Sequence, residues 1–145
     1  MELTNPSVIR TLMEEAGITF RKEFGQNFLI SRDTVERIAD AAADDPDTVI
    51  LEIGPGIGTL THALAERYRK VIAIEIDRGL IPVLGKTLAD CPNVTVIEGE
   101  AFALGSFQYA VDHNFCQIVT LTDDGAANAS GSGSDLSFHR KNLFS

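Results

Sequence analysis

With 145 residues, of which 44% are hydrophobic, the chain is long enough for one soluble globular domain at most. Its formal net charge of −9 argues against nucleic-acid binding through bulk charge, so any such binding would need a local basic patch. No run approaches the roughly twenty apolar residues that a membrane span needs, and no secretory signal is visible at the start of the chain.

Two amphipathic helices are predicted in the first part of the chain. The first lies within residues 4–16, where Ser7 or Asn5 could cap it and Gly17 ends it. The second spans residues 31–43 and places apolar residues at helical spacing along one face. Both therefore have a side that can be buried against the rest of a domain.

Aromatic and basic side chains interleave in the segment between these helices, F-R-K-E-F-G-Q-N-F-L-I. Arg21 and Lys22 lie between Phe20 and Phe24, and Phe28 follows. Aromatic residues beside basic residues suit single-stranded nucleic acid or a flipped base. The alternative is an amphipathic lead-in whose phenylalanines are buried against the domain, and composition alone favours that alternative.

A glycine-rich turn follows the second helix, in the sequence V-I-L-E-I-G-P-G-I-G-T-L-T. An apolar strand, a turn with Gly54, Gly56 and Gly58, and a new helix are predicted here, an arrangement that brings backbone N–H groups close to a nucleotide-like ligand. A dinucleotide fingerprint would need its third glycine at Thr59. The shorter G-x-G-x-G pattern, preceded by Glu52, favours S-adenosylmethionine over NAD or FAD. The alternative is a turn that merely packs a strand on a helix.

Two further strands each place an acidic residue at the same predicted edge of the sheet. The strand at 71–76 carries Glu75 near its end, where doubly wound folds place the acid that accepts hydrogen bonds from ribose hydroxyls. A helix at about 80–88 leads to the strand at 94–97, which Glu100 follows. Strands and helices alternate, so the predicted class is α/β with a mostly parallel sheet, and the acids and glycine turn converge on one crevice.

Four blocks together resemble the small-subunit ribosomal RNA adenine dimethyltransferase family. They are F-G-Q-N-F-L at 24–29, E-I-G-P-G-I-G-T-L-T at 52–61, I-E-I-D-R at 74–78 and N-V-T-V-I at 93–97. The resemblance covers about residues 5–100. It implies a Rossmann-like class I methyltransferase sheet, S-adenosylmethionine as cofactor, and the ribosomal RNA of the immature small subunit as partner.

The resemblance also implies site residues. Those that would contact S-adenosylmethionine are Asn27, Leu29, Gly54, Gly56, Glu75 and Glu100. Glu100 stands where the family has an aspartate that receives the adenine amino group. The candidate RNA-binding residues are Arg21, Lys22 and Phe24, of which Lys22 and Phe24 match a segment that the family uses near its RNA substrate.

The family pattern breaks at about Ala101. The N-x-P-Y or N-x-P-F sequence that ends the family's fourth strand is absent, so no catalytic residue can be assigned. The run at 117–121 could imitate that strand, but it ends in Thr-Asp-Asp-Gly. We therefore expect a sheet truncated after its third strand, a cofactor-binding half at 1–100 and a poorly ordered non-family tail at 101–145, from a frameshifted reading frame or a lineage-specific ending.

The leading functional hypothesis is methyl transfer from S-adenosylmethionine to adenine amines of small-subunit ribosomal RNA. The alternative is a catalytically inactive fragment that binds RNA or the ribosome, and the activity of the chain as it stands stays open. A nucleotide-dependent oxidoreductase is disfavoured by the early third glycine. Cys91 and Cys116 have no disulfide or metal spacing, which predicts reduced thiols, no metal and a cytoplasmic location.

Overall fold

A computed structural model describes residues 1–18 and 31–99, and the backbone of residues 117–120. Helices and parallel strands alternate along the described chain, with a short 3-10 turn, Arg78–Leu80, before the fourth helix. The elements are α1 (Pro6–Glu15), α2 (Arg32–Ala41), β1 (Val49–Ile53), α3 (Thr59–Arg67), β2 (Lys70–Glu75), α4 (Ile81–Thr87), β3 (Val94–Glu98) and β4 (Gln117–Thr120). The predicted α/β class is confirmed, and the first three strands and four helices lie where the sequence patterns indicate.

The sheet is parallel, with the strand order β3-β2-β1-β4. The expectation that the sheet stops after its third strand is wrong, because β4 pairs with β1 from Ile50↔Gln117 to Ile53↔Thr120. The sequence Q-I-V-T is rich in β-branched residues and suits a strand, whatever sequence follows it. β4 can pair because the side of β1 opposite to β2 is free to accept another strand. The absence of a terminal N-x-P-Y does not affect this pairing.

Strand order reverses at β1, because the chain moves outward through β2 and β3 on one side and returns to place β4 on the other. In open parallel sheets, ligands bind beyond the carboxyl ends of the strands at such a reversal. The glycine turn leaves the sheet at the carboxyl end of β1. The topology therefore puts this turn at the position where a ligand crevice is expected.

Side-chain caps fix the start of the first two helices. Asn5 Oδ1 accepts a hydrogen bond from the Ser7 N–H at 2.9 Å, so Asn5 rather than Ser7 caps α1. Ser31 Oγ accepts from the Thr34 N–H at 3.3 Å at the start of α2. Pro6 occupies the first turn of α1, where its missing N–H costs no intrahelical bond.

Alternating strand residues divide the core between the two faces of the sheet. Ile50 and Val71 are buried with the apolar faces of α2 and α3. Val49, Leu51 and Ile72 point to the opposite face and form a separate cluster there. A third cluster packs α1 against the glycine turn and the start of α4 (Leu3, Ile9, Leu12, Met13, Ile57, Leu80 and Val83). None of the helices in the described part of the chain has the length and apolar character that crossing a bilayer requires.

Candidate functional site

The glycine turn after β1 uses left-handed backbone conformations that side chains disfavour. Gly54, Gly56 and Gly58 have φ values of 72°, 60° and 92°. The Gly54 N–H donates to the Ile74 carbonyl at 2.9 Å, which holds the start of the turn beside β2. A Cβ built on Gly54 would meet nothing within 4 Å among the described residues, so the turn leaves open space at this position.

Gly58 has a different task, since it lets α3 begin in close contact with α4. A Cβ at Gly58 would lie 2.9 Å from Thr87 Oγ1 and 3.2 Å from Leu84 Cδ2. The Thr87 hydroxyl in turn donates to the Ile57 carbonyl at 2.7 Å. The third glycine therefore serves the packing of two helices, while Gly54 borders the open side of the turn.

Glu75, at the carboxyl end of β2, is tied to the glycine turn. Its Oε1 accepts from the Gly56 N–H at 3.3 Å and its Oε2 from the Asp77 N–H at 3.4 Å, and the residue is only 3% exposed. Burial raises the pKa of the Glu75 carboxyl, while the backbone hydrogen bonds lower it. The Gly99 N–H donates to the Glu75 carbonyl at 2.8 Å, so the turn after β3 approaches the same edge.

Glu52, on β1 beneath the glycine turn, is fully buried. Its Oε2 accepts a hydrogen bond from the Thr61 hydroxyl, and its Oε1 has no hydrogen-bond partner among the described residues. The pKa of Glu52 is raised to about 7. Burial is the largest cause and the charge of Glu75 also raises the pKa, while the hydrogen bond from Thr61 lowers it. Two carboxyl groups thus lie under one turn, and one of them retains an unused acceptor.

The structure brings together the predicted site residues Gly54, Gly56 and Glu75. It places them at the carboxyl edge of the sheet, beside the reversal of strand order. The remaining predicted site residues lie outside the described residues: Asn27, Leu29, Glu100, Arg21, Lys22 and Phe24. Their assignment stays a prediction.

Sequence reasoning did not find the hydroxyl groups that support the turn. Thr61 holds Glu52, Thr87 holds the Ile57 carbonyl, and the Thr59 hydroxyl donates to the Leu3 carbonyl at 3.2 Å. Each partner lies between 9 and 56 residues away in the chain. For Thr59 and Thr61 the available signal was their position at the start of the helix that follows the glycine turn, but this position does not identify the hydrogen-bond partner.

Comparison with known proteins settles the family. The profile of the family described as ribosomal RNA adenine dimethylase matches residues 17–127. The chain belongs to the ribosomal RNA adenine dimethylase family. Its match continues past residue 100, where the sequence analysis expected it to end, so that boundary was set too early. β4 lies within the matched region of this dimethylase family member.

Relatives within the dimethylase family are considerably longer than this chain. The ribosomal RNA small subunit methyltransferase A of Alkaliphilus metalliredigens is 46% identical over 111 residues, which are 77% of this chain and 39% of the relative. The protein of the same name from Streptococcus gordonii is 43% identical over 112 residues, again 77% and 39%. The chain thus spans about two fifths of the length of these relatives.

Solved methyltransferase structures superpose on this chain. The 23S rRNA methyltransferase ErmE superposes with a TM-score of 0.51 at 30% identity, over 74% of this chain and 52% of that one. A putative caffeoyl-CoA O-methyltransferase from Staphylococcus aureus superposes with a TM-score of 0.53 at 25% identity, over 77% and 51%. The dimethylase family member described here therefore has the Rossmann-like fold of class I methyltransferases.

Proposed function

We propose that this chain carries the S-adenosylmethionine-binding part of an rRNA adenine dimethyltransferase, an enzyme that transfers methyl groups to adenine amines of small-subunit ribosomal RNA. One observation carries the proposal: Glu75 is held against the glycine turn by the Gly56 N–H at 3.3 Å. This contact lies at the carboxyl edge of the sheet, where strand order reverses. Membership of the dimethylase family gives the class of reaction.

The described residues fit a ligand with a ribose. An ionised carboxylate offers about four acceptor positions, and the backbone N–H groups of Gly56, Ile76 and Asp77 donate to that of Glu75. An acceptor position therefore remains for a ribose hydroxyl group. The open space at Gly54 lets the ligand approach the backbone. The unpartnered Oε1 of Glu52 is buried beneath the turn, where a bridging water can donate to it.

Each cofactor contact is assigned to a residue of the chain. Glu75 accepts hydrogen bonds from the ribose hydroxyl groups, and Gly54 and Gly56 present their backbone to the ligand. Asn27, Leu29 and Glu100 complete the cofactor site, with Glu100 as the acceptor for the adenine amino group. Residues 1–100 hold these contacts and form the cofactor-binding half.

Methyl transfer needs little acid–base chemistry from the protein. When bound, S-adenosylmethionine supplies a methyl group that its positively charged sulfur makes electrophilic. The protein's contribution is to orient the two reactants, which can lower the barrier substantially. Glu75 and the glycine turn fix one reactant relative to the sheet, and the site excludes NAD because the turn lacks the third glycine of the dinucleotide fingerprint.

The RNA partner is assigned to the segment before α2. Arg21 and Lys22 contact phosphate groups, and Phe24 stacks on an unpaired base. The chain's net charge of −9 makes such a local basic patch necessary for RNA binding. The proposed substrate is the ribosomal RNA of the immature small ribosomal subunit, and the proposed location is the cytoplasm.

Calorimetry tests the cofactor site directly. We expect the chain to bind S-adenosylmethionine and Glu75→Gln to bind it roughly tenfold to a hundredfold more weakly, the scale for a lost hydrogen bond to a charged group. Glu98→Gln is the matched control. Glu98 lies opposite Glu75 in the register of β2 and β3, but its side chain is at the surface and forms an ion pair with Arg78. Equal weakening by both substitutions, or competition by NAD, contradicts the proposed site.

Transfer of tritium from labelled S-adenosylmethionine to immature small ribosomal subunits tests the reaction. Labelled dimethyladenine in the small-subunit RNA is the expected product. Binding of the subunit without binding of S-adenosylmethionine would instead support the inactive RNA-binding alternative. Methylation of another substrate class in place of RNA would overturn the proposed substrate.

A further inference from the structure

His62, Asp90 and Cys91 form a side-chain cluster that the proposed function does not use. His62 lies in α3, and the other two lie in the turn between α4 and β3. One donor atom from each lies within 4.8 Å of the other two. From these positions we propose that the cluster binds a divalent zinc ion, with His62 Nε2, an Asp90 carboxylate oxygen and Cys91 Sγ as ligands.

The spacing of the donor atoms suits a tetrahedral ion. His62 Nε2 lies 3.0 Å and 3.2 Å from the two Asp90 oxygens, and Cys91 Sγ lies 3.6 Å from Asp90 Oδ1. Zinc–ligand bonds of about 2.0–2.3 Å at tetrahedral angles put neighbouring donors about 3.3–3.8 Å apart. The His62–Asp90 and Asp90–Cys91 pairs are therefore close to the spacing that the ion needs, the His62 and Cys91 donor atoms lie within 4.8 Å of each other, and water can take the fourth position.

The second ring nitrogen of His62 already has the partner that a metal-binding histidine uses. His62 Nδ1 lies 3.2 Å from Glu66 Oε1, one helical turn away. A histidine ligand commonly donates its non-ligating N–H to a carboxylate, which fixes the tautomer and directs the other lone pair to the metal. Glu66 acts in this way as a positioning residue.

A neutral His62 cannot satisfy both of the carboxylates it faces. Neutral imidazole has one N–H, and if Glu66 receives it, the Nε2 lone pair points toward the Asp90 carboxylate. A cation bound between Nε2 and Asp90 satisfies both groups. The Cys91 thiol donates to Asp90 Oδ1 at 3.6 Å, so its sulfur already lies beside this carboxylate and supplies the third ligand.

Donor chemistry and charge select zinc. Nitrogen, sulfur and carboxylate ligands together suit zinc better than the all-oxygen sites of magnesium or calcium. Cys91 is a buried free thiol, and burial raises its pKa to about 11, so zinc binding releases the thiol proton to solvent. The resulting thiolate and Asp90 neutralise the ion. The Asp90 side chain is 70% exposed, which gives the ion a path from solvent.

Zinc titration of the whole chain against a chromophoric chelator tests the proposal. We expect one zinc ion per chain, lost in His62→Gln, Asp90→Asn and Cys91→Ser, and bound about 10- to 100-fold more weakly in Glu66→Gln. Cys116→Ser is the matched control and should keep the ion. Cobalt in place of zinc should give a thiolate charge-transfer band that Cys91→Ser abolishes and Cys116→Ser retains.

Three results would overturn the site: absence of stoichiometric zinc binding, zinc binding unaffected by His62→Gln, or a cobalt–thiolate band that follows Cys116. Circular dichroism of each variant separates lost ligation from lost folding. If Cys91→Ser does not fold, His62→Gln and Asp90→Asn decide the outcome, because both side chains reach the surface. Binding of S-adenosylmethionine is measured separately, so failure of the zinc site leaves the proposed function standing.

Discussion

The Gly56 N–H donates a hydrogen bond to Oε1 of Glu75 at 3.3 Å, which joins two elements 19 residues apart in the chain. The bond forms only if the glycine turn after β1 and the carboxyl end of β2 keep their parallel register. It therefore fixes the proposed ribose acceptor relative to the backbone that receives the ligand.

Replacing Gly56 with valine should abolish S-adenosylmethionine binding in calorimetry. Gly56 has a φ of 60°, a conformation in which a β-branched residue is a genuine outlier, so the turn and its hydrogen bond to Glu75 must change. Gly85→Ala is the control, because Gly85 lies within α4 and a Cβ there meets nothing within 4 Å in the described part of the chain. Equal binding by Gly56→Val and the control would remove the glycine turn from the site.

Alanine at Gly58 should destabilise the fold, whereas alanine at Gly85 should stabilise it. The new Cβ at Gly58 would lie 2.9 Å from Thr87 Oγ1 at a φ of 92°, and we expect a loss of more than about 1 kcal/mol in the free energy of unfolding. In α4, the same substitution should add about 0.5–1 kcal/mol. Urea unfolding of both variants measures the difference, and a stable Gly58→Ala protein would show that α3 and α4 need not approach so closely.

The strand and helix positions followed from the sequence because each rests on a local pattern. Glu75 could be found in the same way, since its place after β2 is set by the doubly wound arrangement. The Glu52–Thr61 hydrogen bond could not, because it depends on how the first turn of α3 packs over β1. Pairing of β4 with β1 likewise depends on a partner strand that lies far away in the chain.

Stability should fall as pH rises through the range in which Glu52 loses its proton. The pKa of Glu52 is about 7 in the folded protein, against an ordinary value of 4.5. Between these two pH values the native state therefore binds more protons than the unfolded state. The stabilisation is complete below the unfolded pKa and is lost as pH rises through the folded pKa. The loss is on the order of 3 kcal/mol if Glu52 acts alone.

Urea unfolding at a series of pH values checks the role of Glu52. Glu52→Gln should flatten the profile in this range, because glutamine has no proton to lose. Thr61→Val should instead extend the decline to higher pH, since the Thr61 hydrogen bond lowers the pKa of Glu52. Unchanged profiles in both variants would mean that another group sets the pH dependence of stability. The candidate is then the Glu75 carboxyl, because burial raises its pKa as well.

Neutralising Arg21 and Lys22 should weaken RNA binding without changing S-adenosylmethionine binding. Each lost phosphate contact should lower the slope of log affinity against log salt by about 0.7 on a single strand. Phe24→Ala should weaken binding by about 1–3 kcal/mol and leave that slope unchanged, because stacking releases no counterions.

Lys86→Gln is the matched control, since Lys86 is exposed but paired with Glu15 at 3.6 Å on a helix surface. Filter binding of small-subunit RNA across salt concentrations gives both quantities. If the salt slope falls equally in Lys86→Gln and in the Arg21 and Lys22 variants, the segment has no special role, and bulk charge governs what RNA binding there is.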